Sequence, residues 1–279
     1  MTIFWNNVFR RCDGAVHART GRLQRLRAGF CVCLGAAIVV SSFASPVRGA
    51  AGFFVGFRAD AAATEETVPE GWEHVTYLGR NPNHFTFEED KGIMAVRVRS
   101  RNSVSALMAV PDVDLGDYSR LSWRWQVNRV VGMAREDRRD RNDSAARVRV
   151  IFGTDRPQAP SGREILRRVL ETRGIDMGEG ADEPPGLKID YIWGNHFPPG
   201  TVIDYAGARG HKVIFLRAGN EHAGTWVREE RDLLKDFDEC FHGSPEMLRA
   251  ILVLSDTDRT NEGVTALFSD IVLKRSGEP

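Results

Sequence analysis

Cysteine is nearly missing where it would matter. The 279 residues hold four, and Cys12, Cys31 and Cys33 lie within the first 44, leaving Cys240 alone in the rest. One thiol excludes an internal disulfide there and any all-cysteine zinc site. Also absent are the G-x-S-x-G elbow, H-E-x-x-H, a Walker loop and the Rossmann glycine fingerprint. His74, His84, His196, His211, His222 and His242 are scattered, with no pair at metal-ligand spacing. Charge of one sign is lacking overall, since 38 Lys and Arg balance 38 Asp and Glu. Long apolar runs are lacking as well. The run from Ala28 to Phe43 falls short of the roughly 20 residues that a membrane span requires, so no stable span is expected.

That run has a different use. Arg10, Arg11, Arg19, Arg22, Arg25 and Arg27 precede it, opposed only by Asp13. A basic stretch, a short apolar stretch and small residues after it read as a secretory signal over residues 1–44, with Ser42 and Ala44 suited to a cut after Ala44. Gly49 and Ala51 offer a second cut. The competing reading is an uncleaved anchor. Arg10-Arg11 lies too far from the apolar run for a twin-arginine signal, and no Cys sits in a lipobox. The expected location is periplasmic or secreted. Cleavage removes six Arg and one Asp, leaving residues 45–279 at a net charge of −5. A mildly acidic chain has no bulk attraction for nucleic acid or anionic lipid.

What is present is alternation. In Leu121–Asn128, LSWRWQVN, the residues Leu121, Trp123, Trp125 and Val127 share one face and Ser122, Arg124, Gln126 and Asn128 the other. That period predicts a half-buried strand whose Trp slab needs a second layer over it. Ile93–Arg99 and Ala146–Phe152 alternate likewise, while Ala250–Ser255 is continuously apolar, as in a central strand buried on both faces. Further short strands are expected at Gly52–Arg58, Trp72–Leu78, His84–Phe87, Ser105–Val110, Leu187–Trp193, Lys212–Arg217, Trp226–Arg231 and Ala266–Leu273. The charge run Arg135–Asp143 reads as a solvated loop.

Two helices interrupt this pattern. Ser161-Gly162-Arg163-Glu164 is a capping box ahead of Ile165, Leu166, Val169 and Leu170, inside a Pro/Gly-rich insertion at about residues 155–186. Asp232 can cap a second helix with the stripe Leu233, Phe237 and Phe241, stopped by Gly243. The fold expected is mainly β: one antiparallel β-sandwich domain of jelly-roll type over residues 45–279, with two inserted helices.

The segments LSWRWQV, AARVRVIF, DYIWGN, VIFLRAG, WVREERDLLKDF and LVLSDTDRT…ALFSDI occur in that order. Together they resemble the bacterial family described as domain of unknown function 3047, from about Phe53 to Leu273. The resemblance implies an exported bacterial protein and brings no activity with it. The layout is also similar to galactose-binding-like jelly rolls, an architecture shared by carbohydrate-binding modules and assembly factors.

Chemistry concentrates in the polar faces and the strand-end loops. Arg97, Arg99, Arg124, Arg147 and Arg149 point outward by alternation, and neighbouring strands would gather them on one face able to hold an anionic group. The loop after Trp193 brings an aromatic, Asn195 and His196 together, and residues 228–232 form a charged cluster beyond Trp226. The candidate ligand-binding residues are therefore Arg124, Arg147, Trp193, Asn195, Arg217, Glu229 and Arg231. Asp256 and Asp258, with oxygen side chains at 260 and 262, alternate as Ca²⁺ ligands can. Asn261 and Leu267 stand where an EF-hand needs Gly and Glu, and an Asx turn is the plainer reading. No other cofactor is expected. The function expected is a non-catalytic binding module for a glycan or another anionic cell-envelope ligand. Alternatives are a glycan-directed hydrolase or lyase, which needs two facing carboxylates, and an envelope assembly or interaction protein.

Overall fold

The strand built on the two tryptophans forms as its alternation dictates. The computed structural model describes residues 52–54, 68, 71–111, 113–153, 169, 183–245 and 247–276. All lie in one compact unit spanning residues 48–279. Two sheets are present. The six-stranded sheet runs β12 (Val227–Asp232), β7 (Arg120–Val127), β14 (Gly263–Lys274), β4 (Ile93–Arg101) and β3 (His84–Asp90), with β1 (Gly52–Phe54) also pairing with β14. The eight-stranded sheet runs β10 (Val202–Asp204), β11 (His211–Ala218), β9 (Leu187–Gly194), β8 (Ser144–Gly153), β13 (Met247–Asp256), β5 (Val104–Ala109) and β2 (Trp72–Thr76), with β6 (Val113–Asp114) also on β13. Strands distant in sequence lie side by side, as in a jelly-roll sandwich.

The second layer demanded by the Trp slab is the eight-stranded sheet. Trp123 and Trp125 are fully buried. Trp123 packs on Tyr191 with ring centroids 5.4 Å apart, and Trp125 on Trp193 at 5.9 Å. Val148, Val150 and Phe152 from β8 and Ile251 and Val253 from β13 complete the core between the sheets. β13 is buried on both faces, because Ala250, Leu252 and Leu254 join a second apolar cluster on the outer side.

Two expectations need correction. The sandwich is not wholly antiparallel: β11 runs parallel to β9, with a register shift between Phe215 and Arg217. The intervening β10 takes the antiparallel place beside β11 and turns its direction. One helix is seen among the described residues, α1 (Leu233–Phe241), capped by Asp232, whose Oδ1 accepts the Lys235 N–H at 3.2 Å. The helix expected from residue 161 lies outside the described residues, Val169 apart. α1 stops at His242, in the left-handed conformation at φ 57°, one residue before the glycine expected to end it. Phe237 packs on Phe152, and burial pushes the neighbouring Cys240 thiol up to about 11, as suits a structural cysteine. No helix among the described residues is long and apolar enough to cross a membrane.

Candidate functional site

The alternation of β8 that sends Val148 and Val150 inward sends Arg147 and Arg149 to the outer side of the eight-stranded sheet. There they are almost wholly buried, at 2% and 6% exposure. Asp190 lies opposite Arg149 in the β8/β9 register. It accepts from Arg149 Nε at 2.7 Å and Nη2 at 2.9 Å, and Arg147 Nη1 stands 3.3 Å away. Burial alone would raise the Asp190 carboxyl, but Arg149 and Arg147 outweigh it and hold the group well below the usual range. Glu183 accepts from Arg149 Nη1 and Lys188 Nζ, both at 2.5 Å, and from the Tyr77 hydroxyl. Against the cost of burial, Arg149 and Lys188 bring it down to about 2. His211 Nε2 stands 3.0 Å from Asp190 Oδ1 without an aligned hydrogen bond. Burial lowers its pKa more than Asp190 raises it.

Next to this network a pocket of about 140 Å³ opens, lined by Tyr77, Arg80, Val104, Asn142, Arg147, Arg149, Tyr205, Leu254, Asp256, Asp258 and Arg259. Tyr205 stacks flat on His211, with centroids 4.2 Å apart, and the Arg147 guanidinium lies 5.6 Å from its ring centre. Arg147 also donates to Ser144 Oγ and to the Asn142 carbonyl. At the end of β13, carboxylate oxygens of Asp256, Asp258 and Asp143 lie within 4.8 Å of one another. Asp143 accepts from Thr260 N–H at 2.8 Å, Thr260 Oγ1 at 2.7 Å and the Arg259 N–H. Among the described residues the Asp256 carboxylate has only long contacts, 3.5 Å to Arg147 Nη2 and 3.5 Å to the Asp258 N–H. Burial first, then repulsion from Asp143 and Asp258, push it up to about 7 against the pull of Arg147.

The oxygen side chains expected to alternate as Ca²⁺ ligands are only partly brought together. The third carboxylate comes from Asp143, ahead of β8, whereas Thr260 is engaged with Asp143 and Glu262 with Arg129. Three guanidinium groups already serve the trio: Arg80 and Arg259 on Asp258 at 3.0 and 3.2 Å, and Arg147 on Asp256. A hard cation wants six to eight oxygens free of competing cations. In this structure Asp256 and Asp258 are engaged in an ion-pair network with Arg147, Arg80 and Arg259.

The other sequence candidates are placed elsewhere. The five arginines do not share a face: Arg97, Arg99 and Arg124 lie on the six-stranded sheet and Arg147 and Arg149 on the eight-stranded one. Arg124 pairs with Asp270 at 2.9 Å, half exposed. Trp193 is a core residue, fully buried, its Nε1–H donating to the Gly219 carbonyl at 3.0 Å; it shares the inward parity of Tyr191 rather than opening the loop. Asn195 ties that loop down, donating from its N–H to Glu136 and from Nδ2 to the Gly132 carbonyl. Arg217 on β11 reaches Glu229 on β12 at 2.7 Å and so clamps the two sheets, with Trp125 Nε1 donating to the same carboxylate. Arg231 holds Asp236 of α1, which also accepts from the Tyr191 hydroxyl. Of the candidates, Arg147, Asp256 and Asp258 reach the pocket. Tyr77, Arg80, Asn142, Tyr205 and Asp143 were not foreseen. Asn142 and Asp143 end the charge run read as solvated, yet both are buried. The one signal for them was their position directly ahead of β8.

A two-sheet β-sandwich of jelly-roll type, with a charge-lined pocket on the outer side of one sheet, is the class these features define. The chain belongs to the family described as Protein of unknown function (DUF3047), whose model matches residues 70–272. No curated protein matches the chain. Among solved structures, it is similar to the family 11 carbohydrate-binding module of cellulase Lic26A-Cel5E of Clostridium thermocellum, at 9% identity over 82% of this chain and 96% of that one, with a TM-score of 0.37. It is also similar to a family 12 xyloglucanase from Bacillus licheniformis, at 8% identity over 75% and 95%, TM-score 0.40. A third is the family 12 endoglucanase 3 of Trichoderma harzianum, at 9% over 81% and 96%, TM-score 0.38. Likenesses of this degree carry no argument about ligand or reaction.

Proposed function

We propose that the protein is an exported, non-catalytic binding module that holds a hydroxyl-rich ligand, a glycan, in the pocket of the eight-stranded sheet. The observation that carries this is the lining itself: two tyrosines, an asparagine, and guanidinium groups interleaved with carboxylates. A sugar hydroxyl both donates and accepts, and such a lining offers both at every turn. The four arginines of the pocket are matched by Asp258, Asp256, Asp190 and Glu183. That balance favours a neutral glycan over the anionic ligand expected from the arginines alone. Calorimetry with a panel of neutral and acidic oligosaccharides tests the reading. Tyr205→Ala and Asn142→Ala should each weaken binding about tenfold or more, and an unchanged affinity in both variants would remove the pocket from consideration. Export is tested by the mass of the mature protein from cell fractions; a product retaining residues 1–44 in the cytoplasm contradicts it.

One observation favours a second reading. Asp256, pushed up to about 7 by burial, lines the pocket, as a general acid for hydrolysis of a glycoside would. Release of reducing ends by the native protein, lost in Asp256→Asn, would establish the hydrolase.

A further inference from the structure

The pocket of the eight-stranded sheet has a boundary as well as a lining. Its floor spans three adjacent strands, with Val104 from β5, Leu254 from β13, and Arg147 and Arg149 from β8. Two inter-strand steps of about 4.8 Å make it about 10 Å across. Along the strands it runs from Arg149, level with Leu252, to Asp256 at the end of β13. Four residues at about 3.3 Å each make that length about 13 Å. A groove that holds a chain in mid-length must stay open at two opposite ends.

Here the ends are tied off. At the Arg149 end, Glu183 accepts from Arg149 on β8 and from the hydroxyl of Tyr77, just after β2. At the Asp256 end, Arg80 from the same loop reaches Asp258 at 3.0 Å, beyond β13. The Arg80 N–H donates to the Tyr77 carbonyl at 3.0 Å, which joins the two ties on one side. On the other side Asp190 links Arg149 to Arg147, Arg147 faces Asp256 at 3.5 Å, and the Asp258 N–H faces Asp256 at the same distance. These contacts make a closed circuit through the lining and leave no open end for a chain to continue through.

Size agrees with this. The volume of about 140 Å³ is close to the roughly 150 Å³ of a cavity that holds one six-membered ring, and well under the roughly 300 Å³ at which ligand clefts commonly begin. One sugar unit fits, and the next unit must lie outside. The Asn142 amide and the Tyr205 hydroxyl make no hydrogen bond among the described residues, and neither is sealed from solvent. Between them they donate and accept. A unit in mid-chain gives up hydroxyls to a linkage on each side and brings two neighbours that the circuit would exclude. A terminal unit has one linkage, which can point out of the mouth. Resting on the reading of this pocket as a glycan site, we propose that it takes the terminal unit of a neutral glycan, at a chain end or a one-unit branch, and does not bind the interior of a chain.

Calorimetry of the full chain with linear malto-, cello- and xylo-oligosaccharides, each from the disaccharide to the hexaose, tests this. In the series that binds, affinity should change by no more than about twofold with length, because units outside the pocket add no contact energy. The matching polysaccharide, cut into shorter pieces, should titrate more protein per gram in step with the ends created. Loss of this binding in Asn142→Ala assigns it to the pocket. Affinity that climbs about tenfold or more from disaccharide to hexaose, with the sites per gram unchanged by cutting, overturns the proposal. If Asn142→Ala still abolishes that binding, the pocket reading stands without it. No binding of any of these sugars, or binding indifferent to both Asn142→Ala and Tyr205→Ala, removes the proposal and the pocket reading together.

Discussion

Single side chains divide this protein into those that hold it together and those free to do something else. Trp123 and Trp125 hold it together. Either one replaced by Ala should cost about 3–5 kcal/mol, lost burial and an unfilled cavity adding to each other, as chemical denaturation would measure. The two differ in one respect that Phe substitutions expose. Trp125 Nε1 donates to Glu229, whereas Trp123 Nε1 is buried without a partner among the described residues. Trp123→Phe removes an unsatisfied donor, and Trp125→Phe removes a made bond, so the second should be the more destabilising. Glu183 gives a pH signature. Its carboxyl falls from an ordinary value of 4.5 to about 2 in the folded chain. A lowered pKa contributes stability fully above the ordinary value, and that contribution is lost as pH falls through the folded one. Glu183→Gln should therefore be less stable than the native chain at pH 7, by on the order of 3 kcal/mol. Melting curves of the two should converge between about pH 4.5 and pH 2, and a constant difference over that range would place the stabilising effect elsewhere.

Elements were legible in the sequence wherever one periodicity ruled. Strands β4, β7 and β8 follow their alternation, and β13 its unbroken apolar run, because a two-faced environment leaves side-chain parity no choice. The cap of α1 was legible too, since Asp232 precedes an apolar stripe at helical spacing. Replacing Asp232 by Ala should cost about 1 kcal/mol and lower the helical signal in circular dichroism without altering the sheets. What alternation does not encode is which sheet a strand joins. Arg124 and Arg147 have the same outward parity, yet β7 and β8 lie in different layers, so their charges face opposite sides of the sandwich. The parallel pairing of β9 with β11 was hidden for the same reason. It depends on how the chain returns through β10, and no local pattern records that.

At the scale of the whole molecule, the pocket assembles residues from before β8, from β8 itself, from the end of β13 and from the loops after β2 and β10. Arg147, Asp256 and Asp258 were legible because each adjoins a strong strand pattern. Asn142, Asp143, Tyr77 and Tyr205 were not, because their importance arises only when distant segments meet. The meeting also changes the electrostatics. Outward arginines on a chain of net charge −5 without residues 1–44 suggested a cationic patch, but folding sets a carboxylate beside each arginine of the pocket, Arg80, Arg147, Arg149 and Arg259. Long-range steering needs an uncompensated field, and salt screens whatever field remains beyond about 10 Å. Binding of a neutral glycan at this pocket should then keep nearly the same affinity between 50 and 500 mM salt, on the order of a twofold change at most. An acidic ligand held by the arginines must first displace Asp256 or Asp258, and its affinity should fall steeply over the same range. Calorimetry across that salt series separates the two: a flat response with neutral sugars supports the balanced pocket, and tight, salt-sensitive binding confined to acidic sugars would show that the carboxylates yield to the ligand.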